Sequence, residues 1–324
     1  MNSENTLGIS RRMLDGFLGF EPSLDAISYQ KIYALLRDII PREETTFEDL
    51  GTERIIACEL ICSSICHNIN WEFLRKAVLR DVMDHPEHTT PKGLSALKPV
   101  DVEKMLLGYW HQERIRAKER CELLQAIGTS VYNNEGCFSS IFFYKTRSPR
   151  HVKDVDARLN RIASYSSDPE RKKLNLLYQT LSDYHGFEFL ADAYRPTIDY
   201  HIIRMYLRRG VVSPANAQTY EYIFDDSVSR REGTVGALRN ICANSLETIS
   251  WMTRLNIKSA NRIEWWVGRT ICTNGNPDCD LRSDESSWLR DSFEKCPYFD
   301  TCYARQYNPK FLEINEPQYR GASY

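Results

Sequence analysis

Apolar positions recur at helical spacing along most of the chain. From Ile27 to Ile40 they follow a helical period that stops at Pro41, which predicts a helix ended by proline. A second helix is predicted over Thr52–His67, and Asn70 then reads as the N-cap of a helix over Trp71–Met83. The stretch from His85 to Pro99 holds three prolines and reads as a loop. Asp101 is placed to cap a helix through Tyr109, and another follows over Gln112–Val131. Asn133–Asp156 is less regular and has room for a short strand or an inserted loop. Helical spacing returns over Arg171–Ser182, Ile198–Arg209, Thr219–Phe224, Thr234–Met252 and Ser259–Gly268. Alternation of the strand type is almost absent, so the predicted fold class is all-α.

Composition narrows this picture without changing it. The chain has 324 residues, 42% apolar and 27% charged, with Gly and Pro sparse, which suits a folded helical protein with a substantial core. No apolar run is long enough to span a bilayer. The N-terminal MNSENTLGISRRMLDGF lacks the basic-then-apolar order of a signal peptide, so the expected location is the cytoplasm. A net charge of −2 counts against a dedicated nucleic-acid binder but leaves local basic patches open.

Cysteine is the unusual residue. Ten cysteines in a reducing compartment point to metal ligation or burial rather than a disulfide framework. Cys272, Cys279, Cys296 and Cys302 form C-x6-C-x16-C-x5-C, in ICTNGNPDCDL and FEKCPYFDTCYA. Four thiolates can hold a tetrahedral zinc ion or the four irons of a cubane cluster. Structural zinc favours C-x2-C knuckles, which are absent here, so a [4Fe–4S] cluster is the preferred reading and zinc the alternative. Cys58, Cys62 and Cys66 share one helix stripe beside His67 and read as small buried side chains, with a second metal site as the alternative. Trp265 and Trp266 read as core or as cover for the cysteine centre.

The segment WWVGRTICTNGNPDC…CPYFDTC resembles the end of the endonuclease III and MutY-type DNA glycosylases, of the helix-hairpin-helix superfamily. Those proteins carry C-x6-C-x2-C-x5-C around a [4Fe–4S] cluster. This chain keeps the outer spacings and widens the middle one by the polar insertion DLRSDESSWLRDSFEK, expected to bulge from the surface. PTIDYHIIRMYLRRG, at Pro196–Gly210, is similar to the family segment Val-Asp-Thr-His-(apolar)-x-Arg-Val. Its aspartate is the catalytic carboxylate and corresponds to Asp199, with His201 and Arg204 also matching. LICSSICHNINWEFLRKAV resembles the early helix, loop and helix, with Asn68 where a base-replacing glutamine sits, and DVEKMLLGYWHQERIRAKERCELLQ resembles the helix pair before the hairpin. The hairpin motif Leu-Pro-Gly-Val-Gly-x-Lys-Thr-Ala is replaced by LSDYHGFEFLADAYRPTID, of which only Gly186 matches. No lysine occurs between Lys173 and Lys258, so the nucleophile of the strand-cutting members has no counterpart.

The resemblance implies a two-lobed helical glycosylase fold. Its parts would be an N-terminal extension over 1–50, a glycosylase domain with a degenerate hairpin over 51–210, and an iron–sulfur domain over 211–324 that packs with the N-terminal segment. It implies monofunctional hydrolysis of an N-glycosidic bond in DNA, in base-excision repair or on bulky modified bases such as those of some viral genomes. Asp199 would stabilise the positive charge that builds on the sugar. The expected base or DNA contacts are Asn68, Gly186, His201, Arg204, Arg208 and the basic stretch with Lys145 and Arg147. On the residues alone Asp199 is also a good helix N-cap, and one side chain can do both. His201 reads equally as a structural histidine, and the arginines as a solvated face. Hydrolysis of a free modified nucleoside or nucleotide, or nucleic-acid binding without catalysis, are the alternative functions.

Overall fold

The computed structural model of the protein describes residues 26–40, 47, 49–168, 171–213 and 232–315. Helices carry the fold, and among the described residues the only strand-like pairing is an isolated bridge between Phe143 and Pro149. The longer helices are α1 (Ala26–Ile39), α2 (Thr52–Ile65), α3 (Trp71–Asp84), α4 (Pro99–Met105), α5 (Ala117–Asn134), α6 (Val152–Leu159), α7 (Lys172–Tyr184), α8 (Tyr200–Arg209), α9 (Glu232–Thr253) and α10 (Ile257–Thr270). No described helix is long and apolar enough to cross a membrane. The helix expected over Thr219–Phe224 lies outside the described residues.

The 85–99 stretch is not a loop. Pro86 opens a 3-10 turn, Pro91 a short helix over Pro91–Ser95, and Pro99 begins α4. A first-turn proline sacrifices no helical hydrogen bond and brings a pre-set φ, so here these residues start helices. Asp101 sits in the first turn of α4 and accepts from the Lys98 N–H at 2.8 Å. That helix stops at Met105, short of Tyr109. Arg116, at φ 44°, separates the 3-10 turn Gln112–Arg114 from α5.

The described residues fall into two compact units, 47–194 and 26–40 with 195–315. The division comes before Asp199, so α8 belongs to the unit of the cysteines.

In the 47–194 unit, α2 is the central helix, buried without interruption from Ile56 to Ile65. It packs against α3, α5 and α7. Its Glu59 is tolerated because Arg75 grips it with two hydrogen bonds, at 2.9 and 3.0 Å, and His185 adds a third contact at 2.8 Å. Burial raises the Glu59 carboxyl, but Arg75 and His185 more than reverse this and hold it below the usual range. Cys58 and Cys62 join the core, where burial pushes the Cys58 thiol up to about 12. Cys66 is partly buried and donates to the Ser63 carbonyl at 3.3 Å. His67 is buried, 3.3 Å from Glu119.

In the other unit α8 packs against both α9 and α10, and α1 packs on α9 and α10. Every residue of α8 from Ile202 to Arg209 is buried, three arginines included. Glu264 of α10 neutralises Arg209 at 2.6 Å and also accepts from Tyr33 of α1 and from Tyr298. The Arg209 guanidinium lies 3.5 Å from the centre of the Tyr298 ring. These contacts tie the N-terminal helix to the rest of the unit.

Candidate active site and cysteine centre

Asp199 stands at the N-cap of α8 with extended backbone. One carboxylate oxygen, Oδ1, accepts from the backbone N–H groups of His201 at 2.9 Å and Ile202 at 3.2 Å. These are first-turn N–H groups that the helix itself cannot use. The second oxygen, Oδ2, accepts from the indole N–H of Trp265 at 2.9 Å. The side chain is buried, at 7% exposure, and three N–H donors fix its plane.

Trp265 is one of a row on α10 that grips the entry to α8. Asn261 accepts from the Thr197 N–H and donates to the Thr197 carbonyl at 3.3 Å. One turn on, Trp265 reaches Asp199. One turn further, Gly268 faces His201, where an added Cβ would stand 2.9 Å from the His201 carbonyl oxygen. Asn261, Trp265 and Gly268 occupy positions i, i+4 and i+7, one face of a helix. Glycine at the third lets the backbones close up.

Arg204 and Arg208 correct the expectation that they face solvent or DNA. Both are fully buried. Arg204 donates to the Cys272 carbonyl at 2.7 Å, to the Gly268 carbonyl at 2.8 Å and to His201 Nδ1 at 3.2 Å. A guanidinium has only donors, so Nδ1 of His201 is the acceptor and that ring nitrogen carries no proton. Arg208 donates to the carbonyls of Ile314 at 2.9 Å and Thr273 at 2.8 Å, and to the Cys272 sulfur at 3.6 Å. These side chains connect α8 to the loop that carries the cysteines.

The four cysteines gather beside this end of α8. The Cys296 N–H donates to the Cys279 carbonyl at 2.8 Å, and the Cys302 thiol to the Arg208 carbonyl at 3.7 Å. Cys279, Cys272 and Cys302 stand near enough to Cys296 for their charges to disfavour its ionisation. Burial pushes the Cys279, Cys296 and Cys302 thiols up, while the Arg305 guanidinium facing Cys279 pulls that one down in part. Among the described residues no three His, Cys, Asp or Glu side chains converge closely enough to chelate one ion. Two buried donor atoms, Arg208 Nη2 and Arg305 Nε, have no acceptor among the described residues. Four thiols and two cationic donors are a set that suits an anionic sulfur-rich group.

The insertion between Cys279 and Cys296 is folded rather than a free bulge. Asp278 accepts from the N–H groups of Arg282 at 2.7 Å and Ser283 at 2.9 Å, and from the hydroxyls of Ser283 at 2.7 Å and Ser286 at 2.6 Å. Burial would raise its carboxyl, but these hydrogen bonds prevail and lower it to about 2. Leu281, Ser286 and Leu289 are buried, and Trp288 meets Trp266 edge-on at 6.1 Å.

The remaining sequence candidates lie in the 47–194 unit. Asn68 occupies the turn between α2 and α3 at φ 54°, a conformation asparagine tolerates better than most residues. Gly186 follows α7 at φ 72°, and a 3-10 helix over Glu188–Ala193 comes next. Lys145 and Arg147 are exposed in the tight turn closed by the Phe143–Pro149 bridge. The structure thus groups Asp199, His201, Arg204, Arg208 and the four cysteines in one unit. Asn261 and Trp265 join Asp199 without having been singled out by sequence for that place. No family model matches the chain, and no curated protein matches it in sequence.

Proposed function

We propose that the protein is an iron–sulfur DNA N-glycosylase that hydrolyses the bond between a damaged or modified base and its sugar. The observation that carries this reading is the Asp199 carboxylate, fixed by three N–H donors at the head of a helix whose arginines run to the four-cysteine loop. As the C1′–N bond breaks, its electron pair leaves with the base and positive charge builds on the sugar. An ionised carboxylate facing that charge stabilises it. Water then adds to C1′, and the proton it loses ends on the departing base. A base in a duplex has to leave the stack to reach such a group. Without a lysine between Lys173 and Lys258 the reaction stops at the abasic site.

Cys272, Cys279, Cys296 and Cys302 would hold a [4Fe–4S] cluster, and Arg208 and Arg305, which donate to the Cys272 and Cys279 sulfurs, would help to balance its negative charge. The cluster would fasten the loop on which the Arg204 and Arg208 contacts depend. Hydrolysis of a free modified nucleoside is the second reading, favoured by the net charge of −2 and by a hairpin that retains only Gly186.

The test uses end-labelled duplexes carrying single modified bases. Alkali-labile breaks are expected with the wild type, none before alkali, and a rate lower on the order of 10²–10³-fold with Asp199→Asn. The protein should carry about four iron and four sulfide per chain. Activity on nucleosides with none on DNA would select the second reading, and Asp199→Asn at full activity would remove the catalytic assignment.

A further inference from the structure

We infer that Trp265 is the positioning residue of the Asp199 carboxylate, acting through its indole N–H. This rests on Asp199 being the catalytic group. Both backbone donors of the helix cap are on Oδ1. The Trp265 indole N–H holds the other oxygen, Oδ2, at 2.9 Å. The indole is itself held: Arg269 lies 4.9 Å over its ring, and Trp266 meets it at 5.4 Å with the planes 80° apart. Asn261 anchors the backbone at Thr197, and Gly268 allows the close approach at His201, so the indole cannot drift along the helix axis.

A carboxylate whose two oxygens are both held keeps one plane, so loss of the indole donor should show in the rate of the chemical step rather than in substrate binding.

Trp265→Phe keeps the ring and removes the donor. The expected result is a fall in kcat of about 10- to 100-fold, at unchanged KM and unchanged melting temperature, as for a reacting group misplaced by a fraction of its span. Added to Asp199→Asn, the same change should cost nothing further. In the 15N-labelled protein, the Trp265 indole resonance should move when Asp199→Asn is introduced, and this comparison needs no variant at position 265. Full kcat in Trp265→Phe overturns the proposal. So does a loss that appears equally in KM and melting temperature, or an indole resonance indifferent to Asp199→Asn. Should the wild type release no base from any DNA, the glycosylase reading falls, and the indole resonance still decides the pairing.

Discussion

At Asp199 one carboxylate caps α8 and, on the proposed function, also serves the reaction, and substitution separates the two roles. Asparagine also caps helices, so Asp199→Asn should keep the fold while losing activity on the order of 10²–10³-fold. Asp199→Ala should lose about 1 kcal/mol of stability as well, read by urea unfolding. Equal stability of the two variants would mean that the cap carries no weight. The cap role of Asp199 was legible in the sequence, since aspartate before a helical run is a cap signal, and the catalytic role was an expectation from the resemblance alone. The sequence did not show the third donor, because Trp265 lies far along the chain and only the packing of α10 on α8 brings it near. A second residue has a pH signature. His88 hydrogen-bonds Asp81 at 2.8 Å, and this partner raises its pKa above 6.5 despite partial burial. The pairing therefore contributes stability in full below about pH 6.5 and loses it as pH rises through the raised folded value. His88→Gln should show its largest deficit in urea midpoint near pH 6 and a smaller one at alkaline pH. A deficit that grows with pH would contradict this.

The α8–α10 contact sets the geometry of the site, and Gly268 is its tightest point. In Gly268→Ala the new methyl would meet the His201 carbonyl at 2.9 Å, and backbone cannot fold away as a flexible side chain does. The helices should separate at a cost of about 1–3 kcal/mol. Because Trp265 lies one turn before Gly268, Gly268→Ala should lose base release along with stability. Retention of both would show that the helices pack less closely than described. Helix spacing in the sequence located α1, α2, α3, α7, α8 and α10 to within a few residues, because each is bounded by a cap, a proline or a glycine that acts locally. It failed at Pro86, Pro91 and Pro99, where the same residue type opens a helix instead of breaking one. It also failed for the arginines of α8. A charged helix face is read as solvated by default, yet Arg204, Arg208 and Arg209 find their acceptors on elements far away in sequence.

For the molecule as a whole, the sequence expectation placed a boundary after residue 210, whereas the compact units divide after residue 194 and keep Asp199 with the cysteines. The distance along the chain from Asp199 to Cys272 hides this, and the arginine bridges from α8 to the loop express it. The same unit includes α1, whose Tyr33 donates to Glu264. Loss of the cysteine centre should therefore reach the site through Arg204 and Arg208 rather than through any contact with substrate. Base excision by Asp199 is the central proposal. Its most direct test is mass spectrometry of what freshly purified protein sets free from DNAs rich in modified bases, beside Asp199→Asn. A free base released by the wild type and not by the variant is the result expected here. Equal release by both, or none from any DNA at low salt, would contradict it.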